Sequence, residues 1–144
     1  MRHAPLLSPD PELVEAVYII ITNNPMVHER FSDLEGLRFE ADFSFVDVLA
    51  FARDQVHLGR PLLSHPLAGS VQPGQTPYKT IVLSKKLEGV DVESVLMIED
   101  CLLVSKRMTR SLNRPLMNVK TDADFQLIDY DLVEDSIKQY ISLA

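Results

Sequence analysis

The chain has 144 residues, 46% hydrophobic and 24% charged, which suits one domain with a single hydrophobic core. Its net charge of −7 argues against nucleic-acid binding, which would need a basic face. No run approaches the ~20 apolar residues of a membrane span, and the single cysteine, Cys101, excludes an internal disulfide. We therefore expect a cytoplasmic protein that binds neither nucleic acid nor membrane.

The first part of the chain predicts an arm, a strand and a short helix. Residues 1–16 are punctuated by prolines and are predicted to form an arm or extension, ahead of one α/β domain over residues 17–144. The β-branched run from Val17 to Thr22 predicts a strand buried on both faces, as in parallel sheets. Asn24 is predicted to cap a helix over residues 26–31.

The middle of the chain alternates strand and helix patterns. A weak strand pattern covers residues 37–40, and Ser44 is predicted to cap a helix that ends at Gly59. Apolar runs then predict strands over residues 61–64 and 79–83.

The last third predicts a long helix, a strand and a final helix. A last strand is predicted over residues 125–129, and Asp131 with Glu134 predicts a capping box for a helix carrying Leu132, Val133, Ile137 and Ile141. Asp91 is predicted to cap the long helix, whose buried stripe comprises Val92, Val95, Leu96, Ile98, Leu102 and Leu103. This alternation favours an α/β layered sandwich with a mostly parallel sheet flanked by helices.

Polar residues follow the first predicted strand directly. Thr22, Asn23 and Asn24 lie at its carboxyl end, where open α/β sheets bind ligands, and they could hold a carboxylate or phosphate. The alternative is that Asn24 only caps the helix and Asn23 only shapes the turn. Because no glycine-rich fingerprint is present, dinucleotide binding is disfavoured.

A second polar group follows the predicted strand 61–64. His65 could act as an acid, a base or a ligand, or could be a loop histidine bonded to a nearby carbonyl. A nucleophilic pair of Ser64 or Ser70 with His65 lacks both a nucleophile elbow and an acidic partner. Tyr78 and Lys79 could reach an anionic ligand or simply anchor the next strand.

The remaining titratable residues predict little chemistry. The other histidines lack metal-ligand spacing, so no metal site is expected. Cys101 is expected to be a buried, inert thiol. The run Asp129-Tyr130-Asp131, at the end of the predicted last strand, is the best candidate for an acidic group near the site, although capping alone would account for Asp131.

Several segments together resemble the GrdX family. They are the run Ile19–Pro25, the segment Leu63–Ser70, the run Pro77–Val82 and the acidic stretch Asp131–Ile137, within a similarity that spans Val17 to Tyr140. The resemblance implies a bacterial accessory protein that accompanies selenoprotein glycine, sarcosine and betaine reductase systems. The family defines no catalytic residue, so none is transferred to this chain.

Three hypotheses follow. In the first, a GrdX-like accessory protein without a cofactor binds a small anionic ligand or a reductase component. In the second, a small enzyme uses His65 as general acid or base on an anionic metabolite. In the third, the long helix packs against a second copy in a homodimer. The pocket of the first hypothesis is expected to be lined by Thr22, Asn23, Asn24, Ser64, His65, Ser70 and Tyr78.

Overall fold

A computed structural model describes residues 17–66, 76–111 and 119–143. The predicted arm over residues 1–16 and the candidate Ser70 lie outside these residues. The elements in chain order are β1 (Tyr18–Thr22), α1 (Pro25–Arg30), β2 (Leu37–Phe39), α2 (Phe45–His57), β3 (Thr80–Ser84), α3 (Val92–Ser111) and α4 (Val119–Leu143).

The sheet formed by the described strands is mixed. Its order is β2-β1-β3, with β1 parallel to β2 and antiparallel to β3. The α/β class is therefore confirmed, but the expected mostly parallel sheet is wrong. Where a parallel strand was predicted over residues 61–64, the chain makes one isolated antiparallel bridge, Leu62 to Leu83, outside β3. The segment around Leu62 and strand β1 therefore both run antiparallel to β3, which lies between them.

Helices cover both faces of the sheet. On one face, Ile21, Ile81 and Leu83 pack against α2 and α3. On the other, Ile20 and Val82 pack against α1 and α4. Because β1 is central and faces helices on both sides, its apolar run is nearly continuous, as predicted.

The predicted helix caps are confirmed where their chemistry is local. The Asn24 side chain accepts from the Met26 amide, and Ser44 forms a reciprocal capping box with Asp47. Asp91 accepts from the Ser94 amide at the start of α3. Gly59 follows the end of α2 with a φ of 108°, a conformation that favours glycine.

The last part of the chain corrects two predictions. Residues 125–129 form no strand, and Asp131 with Glu134 forms no capping box, since both lie inside the single helix α4. Buried Asp129, Tyr130, Val133 and Ile137 recur at helical spacing, so the short alternation at 125–129 was misleading. Glu134 instead accepts a 2.9 Å hydrogen bond from the Tyr130 hydroxyl.

The predicted buried stripe of α3 is correct only in part. Ile98 and Leu102 are buried, together with Cys101, but Val92, Leu96 and Leu103 are exposed. Packing of this helix against a second copy stays a prediction. Within the described residues, no helix has the length and apolarity needed to cross a bilayer.

Candidate functional site

The candidate site lies at the edge of the sheet where β1 ends and β3 begins. Thr22 and Thr80 face each other in the antiparallel register at this edge. Polar side chains gather on both faces around them. We call Thr22, Asn24, Thr80 and Asp129, which lie on the α4 side, the hydroxyl–carboxylate cluster. We call Lys79, Phe45 and Cys101, which lie on the α2 and α3 side, the lysine cluster.

The hydroxyl–carboxylate cluster is a continuous chain of hydrogen bonds. The Asn24 amide donates to the Thr22 hydroxyl at 3.0 Å, and the Thr22 and Thr80 hydroxyl oxygens are 2.7 Å apart. Thr80 Oγ1 donates to Asp129 Oδ2 at 2.7 Å. Because the Thr80 proton points to the carboxylate, Thr22 must donate to Thr80, so every donor in the chain points toward Asp129.

Asp129 is the acidic end of this chain and is almost completely buried, with 4% of its surface exposed. Burial raises the pKa of its carboxyl above the ordinary value, while hydrogen bonds from Thr80 and Asn24 and the charge of Lys79 act in the opposite direction. Of the predicted run Asp129-Tyr130-Asp131, the structure brings Asp129 to this edge. It reaches the edge from helix α4 and not from a strand.

The side chains of Asn23 and Asn24 tie the edge together. Asn24 Nδ2 donates to the Gln126 carbonyl and to Asp129 Oδ2, each at 2.9 Å. Asn23 Nδ2 donates to the carbonyls of Phe43 and Pro77, each at 2.8 Å. Because both amide hydrogens of each residue are engaged, donation to a ligand would break a bond within the protein. The capping and turn-shaping roles are therefore present, and a ligand role for these residues stays a prediction.

Lys79 is the central feature of the lysine cluster. Its backbone amide donates to Asn23 Oδ1 at 2.8 Å, which fixes where the side chain leaves β3. Only 7% of the residue is exposed, and Nζ lies 5.8 Å from the centroid of the Phe45 ring. Among the described residues, the ammonium has no hydrogen-bond acceptor and no carboxylate at ion-pair distance. Lys79 is therefore a largely buried residue whose ammonium lies over an aromatic face.

Electrostatics around Lys79 follow from this burial. Desolvation lowers the pKa of its ammonium below the ordinary value, and the charges of Asp129 and Cys101 oppose that shift. Burial also raises the pKa of the Cys101 thiol, with a contribution from Asp100. Cys101 is thus a buried protonated thiol, as the sequence predicted.

Tyr78 faces the opposite way from Lys79 and anchors the beginning of α4. Its hydroxyl donates to Asp122 Oδ1, and Gln126 Nε2 donates to Asp122 Oδ2 at 2.8 Å. Burial and the Asp122 carboxylate raise the pKa of Tyr78 to about 12. Tyr78 therefore lies at the predicted edge, held by Asp122, which no sequence pattern singled out, and by Gln126, which was predicted to lie in a strand.

The second predicted motif lies further along β3. Ser64 Oγ accepts from the Val82 amide at 3.1 Å, two positions from Thr80 in the strand. His65 is exposed to solvent. The structure therefore brings Thr22, Asn23, Asn24 and Tyr78 to one edge, and it gives Ser64 a structural role on the outer side of β3.

The fold and edge define a class of protein: a small α/β protein, helices on both faces of its sheet, with a buried lysine and a buried aspartate at one sheet edge. Among the described residues, no group of histidine, cysteine or carboxylate side chains could hold a metal ion. The family model described as GrdX-like protein matches residues 19–138. The chain therefore belongs to the GrdX-like family, which confirms the resemblance. No curated protein and no solved structure matches the chain.

Proposed function

We propose that this chain is an accessory protein of glycine and betaine reductase systems, and that it binds a small anionic ligand at the sheet edge through Lys79. Membership of the GrdX-like family supports the first part. The second part depends on one observation: Lys79 is only 7% exposed as a residue, and its ammonium has no carboxylate at ion-pair distance among the described residues.

Partial removal of the Lys79 ammonium from water costs free energy. An unpaired buried charge destabilises a fold by several kcal/mol unless it is neutralised or gains a partner. Lysine stems commonly pack on apolar surface while the charged head stays in water, and here partial desolvation of the head lowers the pKa of Lys79. An anion bound at Nζ would supply the missing partner, which supports a binding role over simple anchoring of β3.

The neighbouring helix adds to this argument. The ring below the ammonium belongs to Phe45, the first residue of α2. Backbone N–H groups at a helix N-terminus carry a partial positive charge, which repels a cation and attracts an anion. Asp47 offsets part of that charge through the capping box. The positive charge of Lys79 and the partial positive charge at the start of α2 therefore both favour an anion near the Phe45 ring.

A carboxylate on a reductase component could be that anion, and a free metabolite could equally supply it. Small molecules are the direct test because they need no purified partner. His65 is exposed, and no catalytic role is proposed for it.

The test is a thermal-shift screen with acetate, glycine, betaine, acetyl phosphate and nucleotides. A ligand that binds only the folded state raises Tm in proportion to its affinity. We expect at least one small anion to raise the Tm of the natural protein and to have no effect on Lys79→Met. The control is Lys86→Met, which removes an exposed lysine beyond β3 and should respond like the natural protein. No response to any anion, or an equal response in Lys79→Met, would contradict the proposal.

A further inference from the structure

Helix α3 has an exposed stripe on the side that faces away from the sheet. Its buried side, with Ile98 and Leu102, packs into the core formed with the sheet and α2. The exposed positions recur at intervals of three and four residues over about three turns, which is the spacing of one helical face. We call this face the outer stripe of α3; it comprises Leu96, Glu99, Asp100, Leu103, Lys106 and Arg107.

The charges of the outer stripe are arranged symmetrically about Leu103. Two acidic residues, Glu99 and Asp100, precede Leu103 by four and three positions, and two basic residues, Lys106 and Arg107, follow it by three and four. At 1.5 Å per residue, the acidic pair and the basic pair each lie about 5 Å from Leu103 along the helix axis.

Pairing within α3 does not account for this pattern. Each acidic residue is seven positions from its basic counterpart, whereas ion pairs within one helix form between residues three or four apart. The four charged residues also lie outside the first and last turns of the helix, which runs from Val92 to Ser111, so the helix dipole acts on them weakly. The spacing therefore suits a partner outside the helix.

We propose that the outer stripe of α3 is a self-association surface, which packs antiparallel against the outer stripe of a second copy of this chain. A two-fold axis at Leu103 places the acidic pair of each copy opposite the basic pair of the other. It also packs Leu103, which is 48% exposed in the single chain, against Leu103 of the second copy. A parallel arrangement would bring like charges together, so charge favours the antiparallel one.

One acidic residue of the stripe is already held in position by its own chain. His57, the last residue of α2, has Nε2 2.8 Å from Glu99 Oε2, and both side chains are about half exposed. A carboxylate accepts several hydrogen bonds, so Glu99 can accept from a basic residue of the second copy without releasing His57. The contact restricts the Glu99 side chain beforehand, which lowers the entropic cost of pairing.

Helix α4 also has an exposed stripe, but its charges do not suit self-association. Apolar residues there alternate with aspartates, so a second copy packed on this face would bring aspartates against aspartates. The stripe comprises Asp124, Leu127, Ile128, Asp131, Leu132 and Asp135. It supplies a control position, because Leu127 is 44% exposed and thus similar to Leu103.

The experiment measures the mass in solution by light scattering and the dimer Kd by sedimentation equilibrium. It compares the natural protein with two charge-reversed variants, one carrying Glu99→Lys with Asp100→Lys and the other Lys106→Glu with Arg107→Glu. We expect the natural protein to form a dimer, and each variant alone to dimerise at least about tenfold more weakly because like charges then face each other. An equal mixture of the two variants should restore a dimer with one copy of each, since a basic stripe then meets an acidic one.

Two single variants complete the test. Leu103→Glu should weaken the dimer, whereas the matched control Leu127→Glu on α4 should leave its Kd unchanged. A natural protein that is monomeric at about 1 mM, a dimer that survives charge reversal, or a mixture that restores no dimer would overturn the inference. Equal weakening by Leu127→Glu would also overturn it, because α4 would then belong to the interface. None of these results bears on anion binding at Lys79, which the thermal-shift screen tests separately.

Discussion

The side-chain amide of Asn24 donates a 2.9 Å hydrogen bond to the carboxylate of Asp129, across 105 positions of sequence. The oxygen of this Asn24 side chain caps α1. The Asp129 oxygen that accepts from Asn24 also accepts from Thr80 in β3. One asparagine therefore joins the end of β1, the start of α1 and the middle of α4. This side chain is one of several contacts that hold α4 at the sheet edge, beside the bonds Thr80–Asp129 and Tyr78–Asp122.

Asn24→Ala should lower the free energy of unfolding by about 2–4 kcal/mol, measured by urea denaturation. The substitution removes a helix cap and also leaves the buried Asp129 carboxylate without one of its donors. Ser44→Ala is the matched control, since it removes an exposed cap with no tertiary partner and should cost about 1 kcal/mol. Equal losses in the two variants would show that the bond to Asp129 contributes nothing.

Asp129→Asn should remove a pH-dependent contribution to stability. Burial raises the pKa of Asp129 in the folded state above 3.8, so the folded state holds this proton more tightly than the unfolded state. Stability contributed by Asp129 is therefore present at low pH and is lost as the pH rises through the folded pKa. The unfolding free energy of the natural protein minus that of Asp129→Asn should fall as the pH rises from 4 toward neutrality. A difference that grows with pH would contradict this sign.

Lys79→Met should stabilise the ligand-free protein by about 1–3 kcal/mol, because it replaces a partly desolvated ammonium, without an ion-pair partner among the described residues, with an apolar chain of similar length. The gain should shrink as the pH rises toward 10.5, since burial lowers the folded pKa and the natural protein is penalised less once the amine is neutral. Lys86→Met, at an exposed position, should change stability by no more than about 0.5 kcal/mol. Destabilisation by Lys79→Met would mean that its ammonium is already paired within the protein.

Tyr78→Phe should remove the hydroxyl bond to Asp122 and cost about 1 kcal/mol in urea denaturation. Because the pKa of Tyr78 is raised to about 12, its phenol should stay protonated at pH 10. Ultraviolet titration of the natural protein and of Tyr78→Phe should therefore overlay up to pH 10.5. An extra phenolate in the natural protein near pH 10 would contradict the buried Tyr78–Asp122 contact.

The parts of the fold that sequence could predict are those decided by neighbouring residues. The caps at Asn24, Ser44 and Asp91 depend on bonds to amides two to four positions away, and β1 shows its burial in its own composition. The direction of β3 does not depend on local residues. It follows from the antiparallel pairing of β3 with the segment at Leu62. A pattern of alternating strands and helices does not encode that pairing.

The meeting of four candidate residues at one sheet edge was predictable from the sequence, but their hydrogen-bond partners were not. Thr22, Asn23, Asn24 and Tyr78 do meet at one sheet edge because a strand end and a strand start meet there. A polar side chain is available to a ligand only if its hydrogen-bonding groups are not already bonded within the protein. That depends on tertiary partners such as Gln126, which was predicted to lie in a strand. The burial of Lys79 is likewise a tertiary property, since its neighbours Phe45 and Cys101 come from separate helices.

The central claim is that the partly desolvated ammonium of Lys79, which has no ion-pair partner among the described residues, takes an anionic partner. The direct measurement is the pKa of Lys79, followed by NMR through its ε-methylene carbon, with Lys79→Met to assign the signal. The account predicts titration below the ordinary value of 10.5 in the free protein, and a rise in pKa when a small carboxylate binds. Titration at or above 10.5, unchanged by any small anion, would contradict it.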